Sequence, residues 1–135
     1  MSQPGLGVMI SYLGGNEDSV NALKAALGKT IDVVELVEDA LRIKFTDETG
    51  IYFYDDGQSC CEHRYMVCDD DLLSFSAATL DAAELADAPE VEDEYGEVHE
   101  VQFLRVSTSK GVIVVSNHNE HNGYYGGFSI RVRSI

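Results

Sequence analysis

The chain has no tryptophan, only two prolines and only three cysteines in 135 residues, and these scarcities already narrow what it can be. No apolar run approaches the roughly 20 residues that a membrane-spanning helix needs, so no membrane role is expected. Met1 to Gly15 lack the basic start and apolar stretch of a secretory signal, which predicts a cytoplasmic protein. The cysteines, Cys60, Cys61 and Cys68, are odd in number and crowded together. Adjacent Cys60 and Cys61 could join only through a strained ring, so a secreted disulfide framework is not expected. Reduced thiols are, either as buried small hydrophobes or as metal ligands and reactive groups.

Positive charge is also scarce. Nine Lys and Arg stand against 24 Asp and Glu, for a net charge of −15, and Tyr65 to Leu104 holds 12 carboxylates with no Lys or Arg. Such a stretch repels nucleic acid and anionic membranes, so no direct nucleic-acid binding is expected. It reads either as a solvated acidic surface or as an acidic mimic that occupies a basic, nucleic-acid-binding groove on another protein. No Gly-rich phosphate loop, dinucleotide fingerprint, serine nucleophile elbow or calcium loop is found.

What is there suits one globular domain. A chain of this size, 44% hydrophobic, buries about two thirds of its unfolded surface. Residues 1–15 read as a flexible Gly-rich segment and 16–135 as the domain. Asn16 to Ser19 offer helix caps, and Val20, Leu23, Ala26 and Leu27 follow at helical spacing before Gly28, predicting one helix. From Thr30 the pattern alternates with period two. Strands are predicted at Ile31 to Val37, Ala40 to Thr46 and Ile51 to Tyr54, the last two as a hairpin closed by Asp47 to Gly50. Asp69 to Asp71 could cap a short helix through Phe75, and a strand-like run follows near Thr79 to Leu85. Ala86 to Tyr95 read as an exposed loop. Two long strands, Val98 to Thr108 and Val112 to Ser116, turn at Ser109 to Gly111, and Phe128 to Val132 close the chain. The predicted fold is α+β: a mostly antiparallel sheet with one N-terminal helix and one short helix.

Two polar loops interrupt this pattern, Gln58 to His63 and Asn117 to Gly127. Each follows a similar run, Leu41, Arg42, Ile43 and a turn ending at Gly50, or Leu104, Arg105, Val106 and a turn ending at Gly111. This weak internal pseudo-repeat suggests that the loops meet at one end of the sheet. Of the four His, at 63, 99, 118 and 121, three lie in them. Cys60, Cys61, His63, His118 and His121 would supply a tetrahedral zinc site if the loops converge, although neither loop has standard knuckle spacing. Alternatively these side chains bond loop backbone and the cysteines pack inward. Glycines beside Tyr124 and Tyr125 let the backbone approach a partner. The candidate ligand or partner surface comprises Cys60, Cys61, Glu62, His63, Arg64, Tyr65, His118, Asn119, Glu120, His121, Asn122, Tyr124 and Tyr125. A Cys with His118 or His121 and Glu62 or Glu120 is also the cast for thiol catalysis. Arg64 is the only cation near those thiols, and a nucleophilic Cys needs an electropositive setting. Catalytic residues are therefore not assigned.

Asp55 to Tyr65 (DDGQSCCEHRY), Asp93 to Phe103 (DEYGEVHEVQF) and His118 to Gly127 (HNEHNGYYGG) resemble a family of small proteins without assigned activity, encoded by tailed phages and prophages. The resemblance spans about Leu27 to Val132. It implies a context, an accessory protein acting in a host cell on a host factor or sequestering a small, nucleotide-like ligand, as anti-defence proteins do. A non-catalytic binding protein is the first expectation. A zinc or thiol enzyme and an acidic nucleic-acid mimic are the alternatives.

Overall fold

The computed structural model describes residues 17–57, 62–87, 91–92, 98–121 and 127–135. The Gly-rich segment 1–15 lies outside them. The helix α1 spans Glu17–Ala26. Its acidic first turn and Lys24 in the last turn suit the helix dipole, and Gly28, at φ +86°, ends it in the left-handed conformation. Ser19, Leu23 and Ala26 form its buried face. The Ser19 hydroxyl accepts the Val132 N–H at 3.1 Å, so α1 covers the outer edge of a strand that would otherwise offer unpaired backbone.

Among the described residues, nine strands form two antiparallel sheets. The first has the order β1 (Ile31–Val37), β2 (Ala40–Phe45), β3 (Gly50–Asp55), β9 (Ile130–Ser134). The second has the order β4 (Glu62–Val67), β8 (Gly111–His121), β7 (Val98–Thr108), β5 (Leu80–Asp87), with the two-residue β6 (Val91–Glu92) also on β7. A 3-10 turn, Leu72–Phe75, precedes β5. This is the predicted α+β architecture, mostly antiparallel, divided into two sheets. Alternation sets the inward faces. Leu41, Ile43, Phe45, Ile51, Phe53, Ile130 and Val132 of the first sheet join Leu80, Leu85, Leu104, Val106, Ile113 and Val115 of the second in one buried cluster. The bridge Thr30↔Thr79, with Ile31 N–H to Ala78 O and Gly28 N–H to Leu80 O at 2.7 Å each, stitches the sheets together along β1 and β5.

Three corrections concern the segments read as loops or left unassigned. β8 continues through Asn117–His121 because both of its sides are paired, to β4 and to β7. Glu62 and His63 begin a strand that the local pattern did not reveal. Ala86 and Asp87 prolong β5, and β6 lies inside the predicted acidic loop. The pseudo-repeat corresponds to a topological feature: the β2–β3 hairpin leads from the first sheet into β4 of the second, and the β7–β8 hairpin leads back from the second into β9 of the first. The chain crosses between the sheets from β3 to β4 and from β8 to β9, and described residues flanking the two crossovers touch, with the Asp56 N–H donating to Ser129 O at 3.0 Å.

Candidate functional site

Strand register brings the polar residues together and then sorts them by face. In the β4–β8 ladder, Glu62 pairs with His121, His63 with Glu120, Arg64 with Asn119 and Tyr65 with His118. Successive residues point to opposite faces of a strand, so Glu62, Arg64, Asn119 and His121 turn inward, while His63, Tyr65, His118 and Glu120 turn outward.

The inward set is a hydrogen-bond network that extends to Asp55 and Glu100. Arg64 donates through Nη1 to Asp55 Oδ1 at 2.8 Å, and through Nε and Nη2 to the two oxygens of Glu62 at 3.1 and 3.0 Å. The Arg64, Asp55 and Glu62 side chains are only 8%, 10% and 3% exposed. Burial works against the guanidinium's charge, but hydrogen bonds to Glu62 and the nearby Asp55 charge outweigh it and raise its pKa. Gly57 explains the close fit, since a Cβ there would lie 2.2 Å from Arg64 Nη1. Asp55 Oδ1 also accepts the N–H groups of Gly57 and Ser129, so one carboxylate ties both crossovers to β3. His121 Nε2 lies 2.6 Å from Glu100 Oε1. A carboxylate only accepts, so that nitrogen donates. Glu100 Oε1 accepts the Gly127 N–H as well, and Asn119 donates to Glu62 and to Gly127 O. Beside this network Asn117, 1% exposed, finds no hydrogen-bond partner for either amide atom among the described residues.

The outward set is a row of rings across three strands. His63 and Tyr65 centroids are 4.8 Å apart, Tyr65 stacks in parallel on His118 at 4.7 Å, and His118 lies 5.0 Å from His99 of β7. His99 Nε2 and His118 Nδ1 share a hydrogen bond of 2.8 Å. Burial and then the neighbouring His99 hold the His118 pKa below its ordinary value. Burial, aided by a hydrogen bond to Glu120, raises that of Tyr65.

Where β4 faces the β1–β2 turn and the end of β3, a groove of about 300 Å³ opens between the sheets, lined by Glu38, Asp39, Tyr54, Arg64, Tyr65 and Met66 together with Asp55. Glu38 and Asp39 are both left-handed, at φ 49° and 59°, as a two-residue hairpin turn requires. Asp39 Oδ1 accepts the Met66 N–H at 3.3 Å, which fixes this turn against β4.

Of the residues proposed from sequence as metal ligands, His63 and His118 lie on the outward face and His121 on the inward one, so the His118 and His121 imidazoles do not converge. Cys60, Cys61, Asn122, Tyr124 and Tyr125 lie outside the described residues. Among the described residues no three His, Cys, Asp or Glu are gathered so as to hold a metal ion, and no helix is long and apolar enough to cross a membrane. Burial, and after it the Asp70 and Asp69 charges against a partly offsetting Asp70 backbone contact, raise the pKa of Cys68, the opposite of an activated thiol. Sequence reasoning missed Asp55, His99 and Glu100 as members of these networks. The alternation of Val98 to Leu104 carries the signal for two of them, placing His99 outward and Glu100 inward.

No curated protein and no solved structure matches the chain. Residues 24–130 match a domain of unknown function, DUF7448, and the chain belongs to that family.

Proposed function

We propose that the protein is a non-catalytic binding module that sequesters a small ligand in the groove between β4 and the β1–β2 turn, within the host cell that the phage resemblance implies. The groove carries this reading. Its volume of about 300 Å³ is at the lower bound for small-molecule sites, and it combines two tyrosines with carboxylates. The adjoining polar network supports binding over chemistry, because Arg64, Glu62 and Asp55 are mutually engaged and almost wholly buried. Arg64 and Asp55 form part of the groove wall, and Glu62 holds the guanidinium from behind. A wider depression of about 430 Å³ between α1 and β9 is lined by Asp18, Asn21, Ala22, Ala25, Val132, Arg133 and Ser134 and has no aromatic wall.

The test is native mass spectrometry of untagged protein incubated with a bacterial small-molecule extract, for the wild type and for Tyr54→Ala. A discrete adduct on the wild type that Tyr54→Ala loses is the expected result. No adduct, or one indifferent to Tyr54, overturns the assignment of the groove.

A further inference from the structure

Positive charge gathers on one described face of the first sheet. The outward face of the first sheet carries Arg42 and Lys44 on β2 and Arg131 and Arg133 on β9, four of the nine Lys and Arg. Register sets two of them beside one tyrosine, in the rung Arg42↔Tyr52↔Arg133, and a third beside another, in Ala40↔Tyr54↔Arg131. Tyr52 and Tyr54 stand on the inner strand β3 with ring centroids 5.5 Å apart. Two carboxylates answer these cations. Glu35 lies 3.5 Å from Arg42 and Asp56 lies 2.9 Å from Arg131, all four side chains being well exposed. The patch is thus +2 (four cations less two carboxylates), which leaves −17 for the rest of a chain of net charge −15. Exposed ion pairs of this kind are weak, so the guanidinium groups are open to exchange for a better anion.

We infer that the ligand is a nucleotide, its base in the groove against Tyr54 and its phosphate on the Arg131–Arg133 side of the first sheet. This rests on the groove reading above and adds the chemical class. Tyr54 belongs to both features, lining the groove and standing in the rung with Arg131, so one ligand can reach from acidic groove to basic face. The polarity of each end fits one part of a nucleotide. Carboxylates accept hydrogen bonds and donate none, so Glu38 and Asp39 match the amino and imino N–H groups on a base edge, as acidic side chains do when they read cytosine. A tyrosine face stacks on any base. Guanidinium forks match phosphate oxygens. The −17 remainder repels a long polyanion, which favours a free nucleotide over a nucleic-acid strand.

Isothermal titration with GMP, AMP, CMP, guanosine, inorganic phosphate and a short single-stranded oligonucleotide tests this at low salt. Expected is binding of at least one mononucleotide, weakened about 5- to 150-fold by Tyr54→Ala, the loss of one base–aromatic stack. Arg133→Ser, at an exposed position, should weaken the nucleotide and leave guanosine unchanged. Salt should weaken the nucleotide alone. No nucleotide binding at millimolar ligand overturns the inference, as does binding insensitive to both variants, or an oligonucleotide that binds more tightly than any mononucleotide. A Tyr54-dependent native-mass adduct that is not a nucleotide would keep the groove reading and overturn this one.

Discussion

Replacing Arg64 by methionine keeps most of the side-chain volume and removes the charge that Glu62 and Asp55 enclose. Those carboxylates, 3% and 10% exposed, would then be stranded without their cation. Breaking a buried pair by removing one partner costs about 3–5 kcal/mol. At about 3–5 °C per kcal/mol for a chain of this size, the midpoint of thermal unfolding should fall by about 9–25 °C. Urea unfolding followed by far-ultraviolet circular dichroism gives the free energy directly. The diagnostic is the cycle with Glu62→Gln: the double variant should cost less than the two single ones together, by about 1–3 kcal/mol, because removing one charge relieves the other. Gly57→Ala tests the same network sterically. Its Cβ would clash with the guanidinium, costing about 1–3 kcal/mol in the wild type, and much less beside Arg64→Ala. A loss under about 1 kcal/mol for Arg64→Met, the size of an exposed ion pair, would refute the reasoning, as would additive behaviour with Glu62→Gln.

Three other outcomes follow from individual groups. The folded protein disfavours protonation of His118, which meets His99, Tyr65 and Ser116 with the Glu120 charge nearby, so the unfolded chain binds more protons there. That contribution to stability is present above the ordinary histidine value of 6.5 and is lost as pH falls below it; His118→Phe should flatten the slope of unfolding free energy on the acid side of that value. Asp47 accepts hydrogen bonds from the Thr49 hydroxyl and backbone and from Lys29, which lower its pKa to about 2. Carboxyl titration by nuclear magnetic resonance should find it there, and Thr49→Val should return it toward the ordinary aspartate value. Asn117→Leu removes a buried amide without partners among the described residues and should leave stability unchanged or raise it by about 1–3 kcal/mol, measured by urea unfolding; a loss of that size would show that the amide is satisfied in solution.

Much of the fold was legible from local pattern. The period-two run at Ala40 to Phe45 names its inward residues directly, whereas in β1 a register shift between Ile31 and Val33 puts Ile31 and Val34 inward, and the left-handed Glu38 and Asp39 close the hairpin between them. The remainder depends on pairing that no local window contains. Glu62 to Val67 alternates, but in charged and aromatic residues, so its period carried no hydrophobic signal. Asn117 to His121 looked like a loop because its inward positions meet Glu62, Arg64 and Glu100, not an apolar core. A polar interior reverses the usual rule that the alternating apolar residue is the buried one. The same reversal hid the candidate site. Clustering of His and Asn in the sequence pointed to the right strands, yet alternation divides His118 from His121. Of the groove's lining, Arg64 and Tyr65 were among the residues picked out from sequence, whereas Asp39 and Tyr54 come from the first sheet and carry no local signal of their own.

The two crossovers also bear on the order in which the molecule assembles. The Ser129 N–H reaches Asp55 across 74 residues, and β9 completes the first sheet only when that long-range closure is made. Such pairings carry a large loop-closure cost and form slowly compared with hairpins. Before β9 docks, β3 presents an unpaired edge, an aggregation hazard during folding. Arg131 and Arg133 arrive on β9 with that last pairing. A ligand that bridges Tyr54 and these arginines therefore recognises only the finished sheet, and would act as a clasp on its slowest joint.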